Sequence, residues 1–195
     1  ILTLGYLLGS LPSGYLAGKW LRDIDLRKMG SGSTGATNVL RYVGKGPALT
    51  VFLIDVLKGI AAVLIAKTIL LDDSWQVAAG LTALAGHIWP IWLNWKGGKA
   101  VATGLGIFLG ISWPVGIACL GVFIAVLSTT KIVSLSSIFA AISLPLLMLF
   151  SFHKGTFSSA FFTLSLLAMI MVLWRHRSNF KRILTGNEPK IGKSS

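Results

Sequence analysis

Long apolar runs alternate with short polar segments rich in Gly, Ser, Lys and Arg along the whole chain. The runs lie at about 1–20, 46–70, 76–94, 99–112, 114–130, 133–152 and 157–174. A membrane-crossing helix needs roughly 20 mostly apolar residues. The pattern therefore predicts an all-α polytopic membrane protein of about seven transmembrane helices. The run at 99–112 is short, and Pro114 marks its break from the next. Five spans with two re-entrant segments fit the same pattern.

Composition narrows this further. Of 195 residues, 54% are hydrophobic and 12% charged, where a soluble domain carries about 25% charged residues. The mean hydropathy is +0.77. There is room for six or seven spans and no separate soluble domain, so residues 1–195 are read as a single integral membrane domain. The run at 1–20 is followed by no cleavage signature and is read as a span rather than a signal peptide. The chain opens on Ile1 rather than methionine, and a few further residues are expected ahead of it. No internal repeat of the kind found in secondary transporters occurs.

The net charge is +12. Its basic residues are spread over short loops without a long run, which argues against a nucleic-acid partner and leaves the lipid bilayer as the expected one. With the N-terminus outside, one side holds Lys19, Arg22, Arg27, Lys28, Arg41, Lys45, Lys96, Lys99, Lys131, Arg175, Arg177, Lys181, Arg182, Lys190 and Lys193. The other side has Lys67 and Lys154, with Asp72 and Asp73. The positive-inside rule places the first group and the C-terminus in the cytoplasm. The tail from Ser178 to Ser195 is expected to be short, basic and surface-lying. Cys119 sits in an apolar stretch and reads as a small buried hydrophobe.

Four polar clusters carry candidate chemistry. The first is the loop Gly30-Ser31-Gly32-Ser33-Thr34-Gly35-Ala36-Thr37-Asn38, with Arg41 three residues on. Small residues let backbone N–H groups approach an anion closely, and the hydroxyls add donors. Gly30, Gly32 and Gly35 match the dinucleotide pattern G-x-G-x-x-G, but no preceding strand supports that use. A hydrophilic turn is the bland alternative. The second cluster is Lys96-Gly97-Gly98-Lys99, which follows His87 and a Trp-rich stretch suited to the membrane interface. From Gly97 onward it reads as a new helix start, an anion site with two lysines beside it; plain cytoplasmic anchoring is the alternative. The third runs Arg175-His176-Arg177-Ser178-Asn179 and on through Lys181, Arg182 and Glu188. His176 and Asn179 share a helix face, and a basic flank against anionic headgroups is the alternative. The fourth, Ser134, Ser136 and Ser137, reads alone as a serine-capped helix start.

Inside the second run, Asp55 and Lys58 stand three apart. Charges within a bilayer are costly, and this pair is expected to neutralise itself and fix helix packing. No His-x-x-x-x-Asp, Walker A or His-Glu-x-x-His motif occurs. With only six carboxylates in the chain, metal-free phosphate recognition fits better than a Mg-dependent phosphotransfer.

The segments Gly9-Ser10-Leu11-Pro12-Ser13-Gly14, Gly30–Arg41, His87–Gly104 and Arg175–Glu188 together resemble the bacterial membrane-integral glycerol-3-phosphate acyltransferases that use acyl phosphate as donor. The resemblance covers nearly the whole chain. Ala100 departs from it, standing where the family usually has the last Gly of Gly-Gly-Lys-Gly. The resemblance implies transfer of a fatty acyl group from acyl phosphate to the 1-hydroxyl of sn-glycerol 3-phosphate, giving lysophosphatidate and phosphate. The implied setting is the cytoplasmic face of the bacterial inner membrane, with no cofactor and no metal, and a monomer is expected. Ser31, Arg41, Lys99 and His176 are the implied catalytic residues. Gly30, Gly32, Ser33, Gly35, Thr37, Asn38, Gly97, Gly98, Ser137 and Asn179 are the implied substrate contacts. A transporter or scramblase for phosphorylated solutes or lipids is the rival reading. The one-sided placement of the anion-binding clusters argues against it, since transporters bind near the bilayer midplane between repeats.

Overall fold

The computed structural model describes residues 1–69, 72–151 and 158–192. His153, Lys154 and Lys193, and the expected span ends at 70, 152 and 157, lie outside the described residues. Among the described residues the chain is helical, without strands. It divides into two compact units, Ile1–Ile111 and Ser112–Ser195, and each is described by itself.

In the first unit the expected span at 1–20 is two helices, α1 (Leu2–Gly9) and α2 (Ser13–Arg22). Pro12 explains the break, because proline lacks the N–H that a continuous helix would use and disfavours helical backbone in the residue before it. A short α3 (Ala36–Tyr42) follows the glycine-rich loop. Helix α4 (Lys45–Ile69) has 25 residues, about 37 Å at 1.5 Å per residue. Its Pro47 lies in the first turn, where a missing N–H is harmless. Helix α5 (Asp73–Ile88) is capped by the Asp72 carboxylate, which accepts from the Ser74 N–H at 2.9 Å. It ends before Trp89-Pro90, so the run expected at 76–94 closes in a 3₁₀ turn, Ile91–Leu93. Helix α6 (Val101–Ile111) has 11 residues, about 16 Å, well short of a hydrocarbon core of about 30 Å.

Small residues let these helices touch backbone to backbone, the means by which apolar helices associate in lipid. A Cβ on Gly59 of α4 would stand 2.3 Å from the Thr103 carbonyl oxygen, and one on Gly106 of α6 would stand 2.0 Å from that of Val56. Helices α1 and α5 meet the same way, through Gly9 against Ala83 and Gly86 against Tyr6.

In the second unit, α7 (Trp113–Thr130) begins with Pro114 in its first turn. It closes on Lys131 in the left-handed region, φ 60°. Helix α8 (Val133–Phe150) carries Pro145 internally. Helix α9 (Ser159–Arg175) turns by 58° into α10 (Arg177–Leu184). The tail is therefore more structured than the expected surface segment: it contains α10, and Ile191 N–H bonds the Lys131 carbonyl at 2.8 Å. Cys119 is half-buried rather than fully buried, and its thiol donates to the Ala140 carbonyl at 3.3 Å. Among the described residues, α4, α7 and α8 are long and apolar enough to cross a membrane, and the bent α9–α10 pair makes a fourth if taken as one span.

Candidate functional site

The glycine-rich loop bonds mostly to itself. Asn38, on α3, is buried. Its amide nitrogen lies 3.1, 3.0 and 2.9 Å from the carbonyls of Leu26, Met29 and Ser33, and its Oδ1 accepts from the Ser31 N–H at 3.4 Å. The Gly35 N–H goes to Ser33 Oγ and the Gly32 N–H to the Met29 carbonyl. The backbone amides of Ser31, Gly32 and Gly35 are thus engaged inside the loop, rather than all aimed at one point as the residue pattern suggests. Gly30 and Gly32 have φ of 52° and 66°, the left-handed region that glycine enters without strain. Ser31 and Thr37 are half-exposed and Arg41 is exposed, so hydroxyls and a guanidinium form the open part of this cluster. Ser33 is buried.

Two fixings hold the loop from behind. Gly14 in α2 packs so tightly that a Cβ there would stand 1.8 Å from the Thr34 carbonyl oxygen. Arg27 pairs with Asp25 at 2.7 Å, donates to the Leu93 carbonyl at 3.0 Å and lies 5.0 Å over the Tyr15 ring. The Arg27 guanidinium holds the Asp25 carboxyl below the usual carboxylate range. Arg27 was legible only as a loop charge; its partners lie too far apart in the chain to be read from spacing.

The Gly97–Lys99 turn is clamped onto the end of α5. The Gly97 and Gly98 N–H groups donate to the carbonyls of Ile88 and His87 at 3.1 and 3.0 Å. These carbonyls end a helix and would otherwise lack partners. A Cβ on Gly98 would stand 2.1 Å from His87 Nε2, so only glycine passes the imidazole there. Lys99 is half-exposed beside the start of α6. Ala100 is buried with φ 60°. This is the left-handed region that glycine enters without strain and alanine enters only at a cost.

Behind both turns lies a buried network. Asp55 and Lys58 pair at 2.7 Å with almost no side-chain exposure, the self-neutralising pair expected from their spacing. Asp55 Oδ1 also accepts from Ser13 Oγ at 2.8 Å and lies 3.7 Å from His87 Nδ1. His87 Nδ1 is 3.1 Å from Thr103 Oγ1. A histidine–carboxylate pair thus exists in space although no His-x-x-x-x-Asp exists in sequence. The carboxylate is already matched by Lys58 and both side chains are buried, so the pair is closed off from solvent.

In the second unit Glu188 gathers the third and fourth clusters. Its Oε1 accepts from Ser134 Oγ at 2.7 Å and from the Asn179 amide at 2.5 Å, and its Oε2 accepts from Arg182 Nε at 2.7 Å. Burial pushes the Glu188 carboxyl up, but these three donors outweigh it and hold it below its ordinary value. His176, buried at the α9–α10 bend, has Nδ1 2.8 Å from the Val172 carbonyl. A carbonyl accepts only, so Nδ1 carries the proton. Ser137, buried on α8, donates to the Val133 carbonyl at 2.9 Å. The structure thus groups Ser31, Arg41 and Lys99 with the glycines in the first unit, and Ser137, His176 and Asn179 in the second. Glu188 lies inside a motif visible in sequence, but its role as a hub is not readable there.

Comparison with known proteins gives one answer. The family model for glycerol-3-phosphate acyltransferase matches residues 1–186. A glycerol-3-phosphate acyltransferase of Prochlorococcus marinus (strain MIT 9211) is 69% identical over 188 residues, covering 96% of this chain and 91% of the relative. One from Synechococcus sp. (strain CC9605) is 70% identical over 192 residues, covering 98% and 93%. Among solved structures, the glycerol 3-phosphate form of PlsY (YgiH), an integral membrane glycerol 3-phosphate acyltransferase, superposes with a TM-score of 0.89 at 36% identity, covering 98% of this chain and 94% of that one. Its lysophosphatidic acid form gives 0.86 at 34%, covering 98% and 93%. With both motif-bearing turns inside residues 1–186, the chain belongs to the glycerol-3-phosphate acyltransferase family.

Proposed function

We propose that the protein transfers a fatty acyl group from acyl phosphate to the 1-hydroxyl of sn-glycerol 3-phosphate, yielding lysophosphatidate and phosphate in the first step of phospholipid synthesis. Family membership over residues 1–186, with Ser31, Arg41, Lys99, Ser137, His176 and Asn179 all in place, is the observation that carries this reading. We take residues 1–195 as one acyltransferase of about seven spans, N-terminus outside and C-terminus in the cytoplasm of a bacterial inner membrane, acting as a monomer.

The hydroxyl oxygen attacks the acyl carbonyl carbon, the bond from that carbon to the phosphate oxygen breaks, and the hydroxyl proton passes to the departing phosphate. The donor supplies both leaving group and proton acceptor, so no acyl-enzyme and no histidine–carboxylate base are needed. The protein supplies orientation and charge stabilisation. Arg41, Lys99, His176, Ser137 and Asn179 bind phosphate, while the open hydroxyls of Ser31 and Thr37 hold the acyl-phosphate end on a loop whose shape Gly30, Gly32, Ser33, Gly35 and Asn38 fix. Gly97 and Gly98 shape the turn that carries Lys99. The carboxylates near these residues already pair with cations, Asp25 with Arg27, Asp55 with Lys58 and Glu188 with Arg182, which supports a metal-free reaction. Arg41→Ala or Lys99→Ala is expected to lower the rate about 10²–10³-fold, the cost of one preorganised donor. Full activity in both variants, or an acyl-enzyme trapped on Ser31 or His176, contradicts the mechanism.

A further inference from the structure

We propose that Asp55 is a positioning residue that holds the glycine-rich loop and the Lys99-bearing turn in register from behind. This rests on the acyltransferase reading above. Asp55 reaches the backing of both turns. On one side it accepts from Ser13 at 2.8 Å, and the next residue, Gly14, is the point where α2 presses against the Thr34 carbonyl of the loop. Its partner Lys58 donates to the Leu11 carbonyl at 3.1 Å, bracing the α1–α2 break from which α2 sets out. On the other side Asp55 lies 3.7 Å from His87. His87 in turn meets Thr103 at 3.1 Å, accepts the Gly98 N–H on its carbonyl at 3.0 Å and fills the space where a Gly98 side chain would go.

A buried ion pair is weak evidence for stability, since desolvation consumes most of its attraction. A carboxylate whose contacts lead to two separate turns has a geometric use instead. Reacting groups must be held closely, and a 1 Å misplacement can lower a rate about 10²-fold.

The two arms can be cut separately in the full-length protein, with activity measured while glycerol 3-phosphate and palmitoyl phosphate are varied in turn. Ser13→Ala cuts the loop arm and is expected to raise KM for palmitoyl phosphate about tenfold, leaving KM for glycerol 3-phosphate within about twofold. Thr103→Val cuts the arm to the turn carrying Lys99, paired under this proposal with the phosphate of glycerol 3-phosphate, and should do the reverse, with Thr103→Ser restoring the original value. The charge-balanced pair Asp55→Asn with Lys58→Gln should raise both KM values and lower kcat about 10²-fold. Both KM values unchanged across the set overturns the proposal. So does a fall in kcat that simply follows lost thermal stability with no split between substrates. An unaltered protein that fails to acylate glycerol 3-phosphate at all overturns the acyltransferase reading itself, an outcome told apart from the others by the control alone.

Discussion

Ala100 shows how small terms decide tolerance at a single residue. A left-handed backbone costs a non-glycine residue roughly 1–2 kcal/mol. Against that, alanine restricts the unfolded chain, worth about 0.4–1 kcal/mol, and its buried methyl contributes about 0.8 kcal/mol. The terms nearly cancel, so Ala100→Gly is expected to change stability by less than about 1 kcal/mol in thermal unfolding. Ala100→Val puts a branched side chain at φ 60° and should lose clearly more. Gly14 has no such latitude: Gly14→Ala drives a methyl into the Thr34 carbonyl, and a loss of about 1–3 kcal/mol with near-complete loss of activity is expected. The residues read from sequence as phosphate ligands divide in the structure. Arg41 and Lys99 keep open surface, whereas Asn38 commits its amide to the carbonyls of Leu26, Met29 and Ser33. Composition marks a loop as small and polar but does not say which of its donors the loop uses on itself.

Helices were legible where apolar runs were long and unbroken, as in α4, α7 and α8. They were not where proline cut a run that hydropathy sums across, at Pro12 and Pro90, or where α9 bends at His176. Beyond the bend, the contacts of Glu188 with Asn179 and Ser134 join residues nine or more positions apart, and no local pattern shows them. Glu188 makes the α10 region sensitive to pH. Its folded value lies below the ordinary 4.5, so its contribution is complete above the unfolded value and is lost as pH falls through the folded one. Limited proteolysis after Leu184 should therefore be slow at pH 7 and accelerate below about pH 4.5. Glu188→Gln is expected to cost about 1.5–3 kcal/mol, the range for hydrogen bonds to a charged group, and to remove that pH dependence. An unchanged proteolysis profile in the variant contradicts this role.

Over the whole molecule, the asymmetry of Lys and Arg is the ground for the proposed orientation. Cysteine labelling in intact cells tests it in a Cys119→Ala background. A Ser74→Cys variant should react with an impermeant thiol reagent, and a Gly192→Cys variant should react only after permeabilisation; the opposite pattern reverses the topology. The turns at Gly30–Arg41 and Gly97–Lys99 were legible as turns because small residues stand there beside cations at short spacing; phosphate binding by them is the proposal. The network of Ser13, Asp55, His87 and Thr103 was not, because it joins four helices. The choice of donor bears most directly on the proposed chemistry. The decisive measurement is phosphate release by the purified protein in EDTA, with glycerol 3-phosphate and either palmitoyl phosphate or palmitoyl-CoA. Phosphate release from palmitoyl phosphate that depends on glycerol 3-phosphate, with no turnover of the thioester, is the predicted result. Turnover of palmitoyl-CoA, or silence with both donors, contradicts the account.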